Sequence, residues 1–480
     1  MIRSIKNTFA PIDRVPPEVL SLIAGYFSTD NELITLTHVC RSWREIFTSH
    51  ASLWTFLDCT SFDKTDVYIQ RSRGSPLEIY LTGSYSADAL FLALPLINQL
   101  KALTVSGSRN VLSLTKYFDS HAPLLEKLDI QVRRASPAPI ESTIFGGNLS
   151  PLRELRLYAV ITDLPWKNLT KLTTFEFHQV PGNEISVTQL LDFFERAPLL
   201  REIELVASLP DSSNAPLERV VSLNHLRSLR IDAQQPHSIL LNHLHIPVGA
   251  LARLEFKVNN ETVPISDYLP TPLDNLSNIS RITSVNLSFQ SGMAMRLGGP
   301  NGGLYVVGTC ASGGSAPTTL DAKILRYLNK FPISMTEMLA VTLHDGSADL
   351  DREIEESGAY RTLLLMNNLR TLTLTGCINL SFISALNPDC NTSHTTVCPK
   401  LEELIFYTRG DHEDSCIEEL LEMAKGRALR NAELSIIVVI CARKFFPAEK
   451  AFELRRYAKH VEYRPDDEPS SWDTIPDDFH

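Results

Sequence analysis

The chain has no apolar run long enough to cross a bilayer. Its strongest, Ile436-Ile437-Val438-Val439-Ile440, covers a fraction of the roughly 20 residues that a spanning helix needs. The first residues, Met1-Ile2-Arg3-Ser4-Ile5-Lys6-Asn7-Thr8, lack the apolar core of a secretory signal. A soluble chain of the cytoplasm or nucleus, with no membrane partner, is therefore expected. Surplus positive charge is missing as well. Lys and Arg number 45 against 56 Asp and Glu, a net charge of −11, and the cations are scattered rather than striped, which argues against a nucleic-acid partner. The eight cysteines include no Cys-x-x-Cys pair and no Cys/His finger spacing, so reduced, mostly buried thiols are expected.

Catalytic signatures are absent too. No G-x-x-x-x-G-K or G-x-G-x-x-G loop occurs to cradle a phosphate, no H-E-x-x-H to hold zinc, and no G-x-S-x-G nucleophile elbow. His243-x-His245 puts two imidazoles on one side of a strand, without an obvious third ligand nearby. Cys416 stands among Asp411, Glu413 and Asp414, which raise a thiol pKa rather than lower it. No catalytic, cofactor-binding or metal-ligating residue is expected, and the chain is not expected to be an enzyme.

What is present begins at Val15-Pro16-Pro17-Glu18-Val19-Leu20, which opens a helix. The prolines stand where no intrahelical N–H is needed, and a carboxylate sits in the positive first turn. Val19, Ile23 and Tyr26, flanked by Leu20 and Phe27, recur at helical spacing, and Gly25 is expected to weaken this helix without ending it. Ser28-Thr29-Asp30-Asn31 supplies a break and a candidate N-cap. Leu33, Leu36, Cys40, Trp43 and Phe47 then share one apolar face, which one long helix or two short ones would satisfy, and Leu53-Trp54 closes the module. A module of about 45 residues struggles to bury enough surface alone, so some of these apolar side chains are expected to face a partner.

Val15-Pro16-x-Glu18-Val19-Leu20-x-x-Ile23, Val39-Cys40-Arg41-x-Trp43-Arg44 and Leu53-Trp54 resemble the F-box, whose pattern runs Leu-Pro-x-Glu, an aliphatic helix, Val-Cys-x-x-Trp and Leu-Trp. The departures are Val15 in place of Leu, a second proline at Pro17, and Ala24 where a bulky residue is common. The resemblance implies docking on the Skp-family adaptor of a cullin-RING ubiquitin ligase through Val15, Pro16, Glu18, Leu20, Ile23, Val39 and Trp43. Some of these must be core instead, and the sequence does not sort them.

From residue 100 to 406 a pattern L-x-x-L-x-L, with other aliphatic residues or Phe allowed, recurs with first positions at Leu100, Leu125, Leu152, Leu172, Leu200, Leu226, Leu251, Ile282, Leu369 and Leu401. Successive intervals up to 282 are 25, 27, 20, 28, 26, 25 and 31 residues, which brackets the length of a leucine-rich repeat. A weaker copy starts at Met338, inside the 87-residue gap before Leu369. Alternation at the end of each copy reads as a short strand, and stacking such strands in parallel gives a solenoid whose core is built from the aliphatic positions. Val187–Arg196 has helical periodicity and runs into Ala197-Pro198, so strand, loop, helix and proline stop make one unit. Tyr68 to Leu81 looks like the helix and first strand that follow the F-box in many fungal F-box proteins of the leucine-rich-repeat kind.

The expected fold class is an α/β repeat solenoid of irregular leucine-rich repeats preceded by a small all-α F-box module. The F-box-like helical domain is placed at residues 11–58, a connecting helix and linker at 59–76, and the solenoid at 77–463. Glycines near 290–335 suggest a flexible interruption, with one strand at Leu304-Tyr305-Val306-Val307. Residues 464–480 read as an acidic disordered tail.

The function implied is a substrate-receptor adaptor of an SCF-type ligase, with the Skp-family adaptor and, through it, a cullin as partners, and a target protein held by the repeats. The alternatives are a Skp-family-binding protein that acts without a cullin and a non-catalytic repeat scaffold. The expected target-binding face is the exposed side of the strands, with Arg156, Tyr158, Glu176, His178, Glu204, Arg230, Asp232 and Lys257.

Overall fold

The computed structural model describes residues 11–26, 30–108, 113–132, 138–140, 144–162, 168–178, 185–207, 218–233, 238–258, 269–271, 273–289, 292–310, 328, 331–343, 356–375, 379–389, 396–408, 413–441 and 448–465. A small helical region comes first and a large, mostly strand-containing region follows. The chain divides into two compact units: Met1–Asn183 with Arg196–Leu199, and Glu184–Glu195 with Leu200–His480.

The N-terminal helices are α1 (Pro17–Ala24), α2 (Asp30–Val39) and α3 (Arg41–Ser49), followed by a 3-10 turn at Ala51–Trp54 and then α4 (Phe62–Ser72). Leu20, Ala24 and Phe47 form their core, with Val15, Leu36, Trp43, Ile46 and Leu53 packed against it. Contrary to expectation, Gly25 ends α1 rather than merely weakening it: it is the C-cap residue, and its N–H reaches the carbonyl of Ser21 at 3.1 Å. Glycine pays the largest backbone entropy in a helix, which favours a stop at this position. The proposed break at residues 28–29 lies outside the described residues, and α2 begins at Asp30.

Of the two arrangements open for residues 30–49, two short helices form. Cys40 is extended and caps α3, its Sγ accepting the Trp43 N–H at 3.4 Å. Arg44 Nε donates to the Thr37 carbonyl at 2.9 Å, satisfying an orphan acceptor at the end of α2. The Val-Cys-Arg-x-Trp-Arg stretch thus folds its own corner. Trp54 is fully buried: its indole N–H donates to the Phe47 carbonyl at 2.9 Å, Tyr68 of α4 meets it edge-on at 4.9 Å, and the Arg71 guanidinium lies 4.3 Å over its ring.

In the first unit β1 (Phe56–Leu57), β2 (Leu77–Leu81), β3 (Leu100–Gly107), β4 (Lys127–Val132), β5 (Glu154–Tyr158) and β6 (Thr174–His178) pair in parallel, each with the next. Leu103, Leu128, Leu155 and Phe175, all fourth positions of the repeated pattern, stand opposite one another. So do the fifth positions Thr104, Asp129, Arg156 and Glu176. The fourth and sixth positions are buried, and the period of two sends the fifth to the other face.

In the second unit β7 (Glu202–Ala207), β8 (Ser228–Ala233), β9 (Leu251–Val258), β10 (Ser284–Phe289), β11 (Gly292–Gly298), β12 (Gly303–Cys310), β13 (Met338–Leu343), β14 (Thr371–Thr375), β15 (Glu403–Thr408), β16 (Leu434–Cys441) and β17 (Ala458–Pro465) form one sheet. Its order is β7-β8-β9-β12-β11-β10-β13-β14-β15-β16-β17. Two registers differ from the repeat spacing. Leu229 faces Ala252 and Ile231 faces Leu254, a slip of two residues that keeps the same side chains on the core face. Leu339, not Val341, aligns with Val285 and Leu372, so the weak copy starts at Thr336, which is fully buried.

The glycine-rich stretch is corrected most. Residues 292–310 are not a flexible loop but an antiparallel hairpin, β11 and β12, inserted between β9 and β10. Leu304–Val307 is a strand as expected. The glycines serve close approach: a Cβ on Gly303 would lie 2.6 Å from the Leu297 carbonyl, and one on Gly299 2.6 Å from that of Arg281. Gly313-Gly314-Ser315 lies outside the described residues. Arg464 and Pro465, placed in the acidic tail, complete β17, and the tail from 466 lies outside the described residues.

Helices connect strands in both units. In α5 (Val187–Arg196), expected from its periodicity, Val187, Leu190, Leu191, Phe193 and Phe194 are buried. In the helix Glu413–Ala428, Arg427 is fully enclosed. Its Nη1 donates to the Val397 carbonyl at 2.8 Å, Nη2 to that of Cys398 at 3.0 Å, and Nε to that of Ala432 at 3.2 Å. Burial pulls its pKa down to about 10, which leaves it charged at neutral pH.

Candidate functional site

Two surfaces carry the residues singled out above. The first is α1. Its helical repeat gives it two apolar faces. Leu20 and Ala24 turn inward, Leu20 being only 4% exposed, while Val19, Leu22 and Ile23 turn to solvent together with Tyr26 just beyond the helix. Leu22 is 69% exposed and Tyr26 90%. Pro16 and Glu18 are exposed at the start of the same helix, and Val39 is exposed at the end of α2.

The seven candidate docking residues are thereby sorted. Leu20 belongs to the core, with Val15 and Trp43 packed partly buried against it, whereas Pro16, Glu18, Ile23 and Val39 are free to meet another surface. Trp43 also meets Phe47 edge-on at 5.4 Å, so its ring helps hold the three helices. Val19 and Leu22, not among the seven, are exposed on the same side as Ile23. The spacing signal was ambiguous, because nearly every position from Val19 to Ile23 is apolar and either face qualifies as core.

The second surface is the outward side of the strands. Arg156, Tyr158, Glu176 and His178 lie in the first unit, and Glu204, Arg230, Asp232 and Lys257 in the second. The first four gather. Arg156 Nε lies 3.0 Å from Glu176 Oε1, the Tyr158 hydroxyl donates to Glu176 Oε2, and the Tyr158 and His178 rings are 4.2 Å apart. In the second unit Arg230 reaches Glu204 at 3.5 Å and Glu255 at 3.0 Å. Arg253 reaches Glu255 at 2.7 Å and lies 5.4 Å over the Tyr305 ring. Asp232 stands opposite Val206 and Glu255, and Lys257 is in β9, its side chain outside the described part.

Asp129 was not foreseen on this surface. It occupies the fifth position of its repeat, between Thr104 and Arg156 in register, yet it is only 5% exposed. Gln131 Nε2 donates to Oδ2 at 3.3 Å, and among the described residues no donor reaches Oδ1. Burial lifts its carboxyl above the ordinary range, against the opposing influence of Gln131, Arg156 and Lys127. The signal in sequence was the column of fifth positions itself, in which an aspartate precedes an arginine and a glutamate.

The other candidates do not assemble into reactive groups. His243 Nδ1 contacts the Arg219 carbonyl at 2.9 Å, whereas His245 Nε2 contacts Ser277 Oγ at 3.1 Å. Among the described residues no three His, Cys, Asp or Glu side chains gather as a metal site would require. Burial pushes the Cys59 and Cys398 thiols up to about 12, far from a reactive thiolate. The Cys416 side chain lies outside the described part. No helix among the described residues is long and apolar enough to cross a membrane.

Comparison with curated proteins gives no match. Residues 12–60 match the family model described as F-box-like, a stretch that spans α1 to α3 and the Leu53-Trp54 pair. An F-box-like domain therefore stands at the N-terminus of this chain.

Proposed function

We propose that the chain is the substrate receptor of an SCF-type cullin-RING ubiquitin ligase. The F-box-like helices dock on the Skp-family adaptor, and the strand-rich region, an irregular leucine-rich-repeat solenoid, holds the target protein. The chain itself performs no bond chemistry. It contributes the effective concentration and orientation of a target beside a ubiquitin-conjugating enzyme that the rest of the assembly supplies.

The observation that carries the reading is the outward apolar face of α1 within the F-box-like stretch. Val19, Leu22 and Ile23 stand in solvent on a helix whose opposite face is already packed, with Tyr26 exposed just beyond it. A chain gains nothing from leaving such side chains in water, whereas a partner that covers them gains roughly 25 cal/mol per Å² of apolar area.

The test is binding of the full chain to purified Skp-family adaptor, then to adaptor with cullin. Leu22→Asp combined with Ile23→Asp is expected to weaken adaptor capture about a hundredfold or more, with the thermal transition unchanged because both side chains are exposed. Capture at wild-type strength by that variant would remove the basis of the reading. Adaptor binding without cullin recruitment would limit the role to the adaptor alone.

A further inference from the structure

On the outward face of the first unit, Tyr80, Thr104, Asp129, Arg156 and Glu176 stand in one row across β2 to β6. The charges in this row do not balance locally. Arg156 is committed to Glu176, which also accepts from the Tyr158 hydroxyl. Lys127, one step along β4, turns to Glu154 at 3.5 Å. Asp129 is left with one weak donor, Gln131, and an oxygen that no described donor reaches.

A carboxylate on the outward face of a sheet ordinarily meets water, and a shielded one without donors is costly to fold around. Evolution has a cheap remedy in asparagine or threonine, the latter already present at Thr104 in the same row. The residues beside Asp129 are partly or fully exposed: Thr104, Lys127, Gln131 and Arg156. A partner that reaches Asp129 has to move side chains of this outward row, Gln131 among them, which already bonds Oδ2. Two strands away lies an apolar anchor, the stacked rings of Phe56 and Tyr80, 6.0 Å apart, with Phe56 exposed. Strand spacing puts that pair roughly 10 Å from Asp129.

We propose that this row is the recognition site for a target segment carrying a lysine or arginine. The cation completes Asp129, and an apolar residue of the same segment covers the Phe56–Tyr80 pair. The occupant is fixed by charge: with Arg156 and Glu176 cancelling, one negative charge remains, and a lysine ammonium or an arginine guanidinium supplies both the missing donor and the missing charge. This inference deepens the receptor reading and rests on it for calling the segment a target.

The experiment uses the full chain and immobilised nonapeptides with degenerate flanks and a central Lys, Arg, Gln or norleucine. Wild type is expected to retain the Lys and Arg peptides about tenfold over the Gln and norleucine peptides. Asp129→Asn, which preserves shape, is expected to lose that preference while its melting temperature stays the same or rises. Glu154→Gln, which removes a more exposed carboxylate nearby, is expected to keep it. Equal retention of all four peptides by wild type, or an undiminished preference in Asp129→Asn, overturns the proposal. Adaptor capture, read on the same preparations, separates the two ideas. Capture without cation preference ends this inference and leaves the receptor reading standing, whereas cation preference without capture does the reverse.

Discussion

Leu22 on the first helix and Tyr26 just beyond it are largely exposed, whereas Arg427 in the strand-rich region, a full charge, is enclosed and bonded to three carbonyls. Hydrophobicity alone would have placed these residues the other way round. Their positions follow from which groups have partners within the chain. The carbonyls of Val397, Cys398 and Ala432 offset the desolvation of the guanidinium, while the second apolar face of α1 is left exposed among the described residues. An exposed apolar face can therefore be told from a core by what is left over after internal pairing.

The contrast breaks most visibly at Arg427. Arg427→Met takes the donor from three carbonyls, those of Val397 and Cys398 buried, and is expected to cost about 4 kcal/mol of stability, read by urea denaturation. A loss near zero would mean that the enclosed charge contributes nothing there. Next, Leu20 and Leu22, two residues apart on α1, should separate cleanly. Leu20→Ala is expected to destabilise the fold by about 3 kcal/mol, while Leu22→Ala stays within about 0.5 kcal/mol and weakens only adaptor binding. Equal destabilisation by both would place Leu22 in a core as well.

Asp129 gives a smaller effect of opposite sign. Its folded carboxyl is held above the ordinary value of 3.8 by burial, so between those two values the folded chain keeps a proton that the unfolded chain has released. Lys127, Arg156 and Gln131 oppose that shift and Glu176 adds to it. Stability conferred by this group is thus present at low pH and falls as pH rises through that window. Asp129→Asn is expected to flatten the fall and to add about 1 kcal/mol at neutral pH, measured as denaturation midpoints from pH 3 to 7. The smallest effect belongs to the exposed pair of Arg370 and Glu402, 3.0 Å apart with both side chains more than half exposed. Arg370→Gln should change stability by no more than about 0.5 kcal/mol.

Much of the architecture was legible because it rests on period. A pattern of aliphatic residues at fixed spacing forces a strand with one buried face, and Leu103, Leu128, Leu155 and Phe175 fall into register across four strands as the repeat requires. Where the reading slipped, glycine was the usual reason. Gly25 was taken as a tolerated weak point and is a stop, and the glycines of 298–303 were taken as freedom and are close contacts. A residue without a side chain carries no pattern, so its role depends on neighbours that are distant in sequence. The candidate docking residues were half legible for a related reason: Leu20 and Ile23 are equally apolar, and only the position of Phe47 decides which of them turns inward.

The sequence by itself determined the helical start, the succession of strands and the absence of familiar catalytic motifs, since each depends on neighbours a few residues apart. Only the tertiary structure decided which face of α1 stays exposed, that β11 and β12 continue the sheet, and that Asp129 Oδ1 meets no donor among the described residues. Those outcomes depend on desolvation and on hydrogen-bond partners some 20 or more residues away in the chain, which local spacing does not encode.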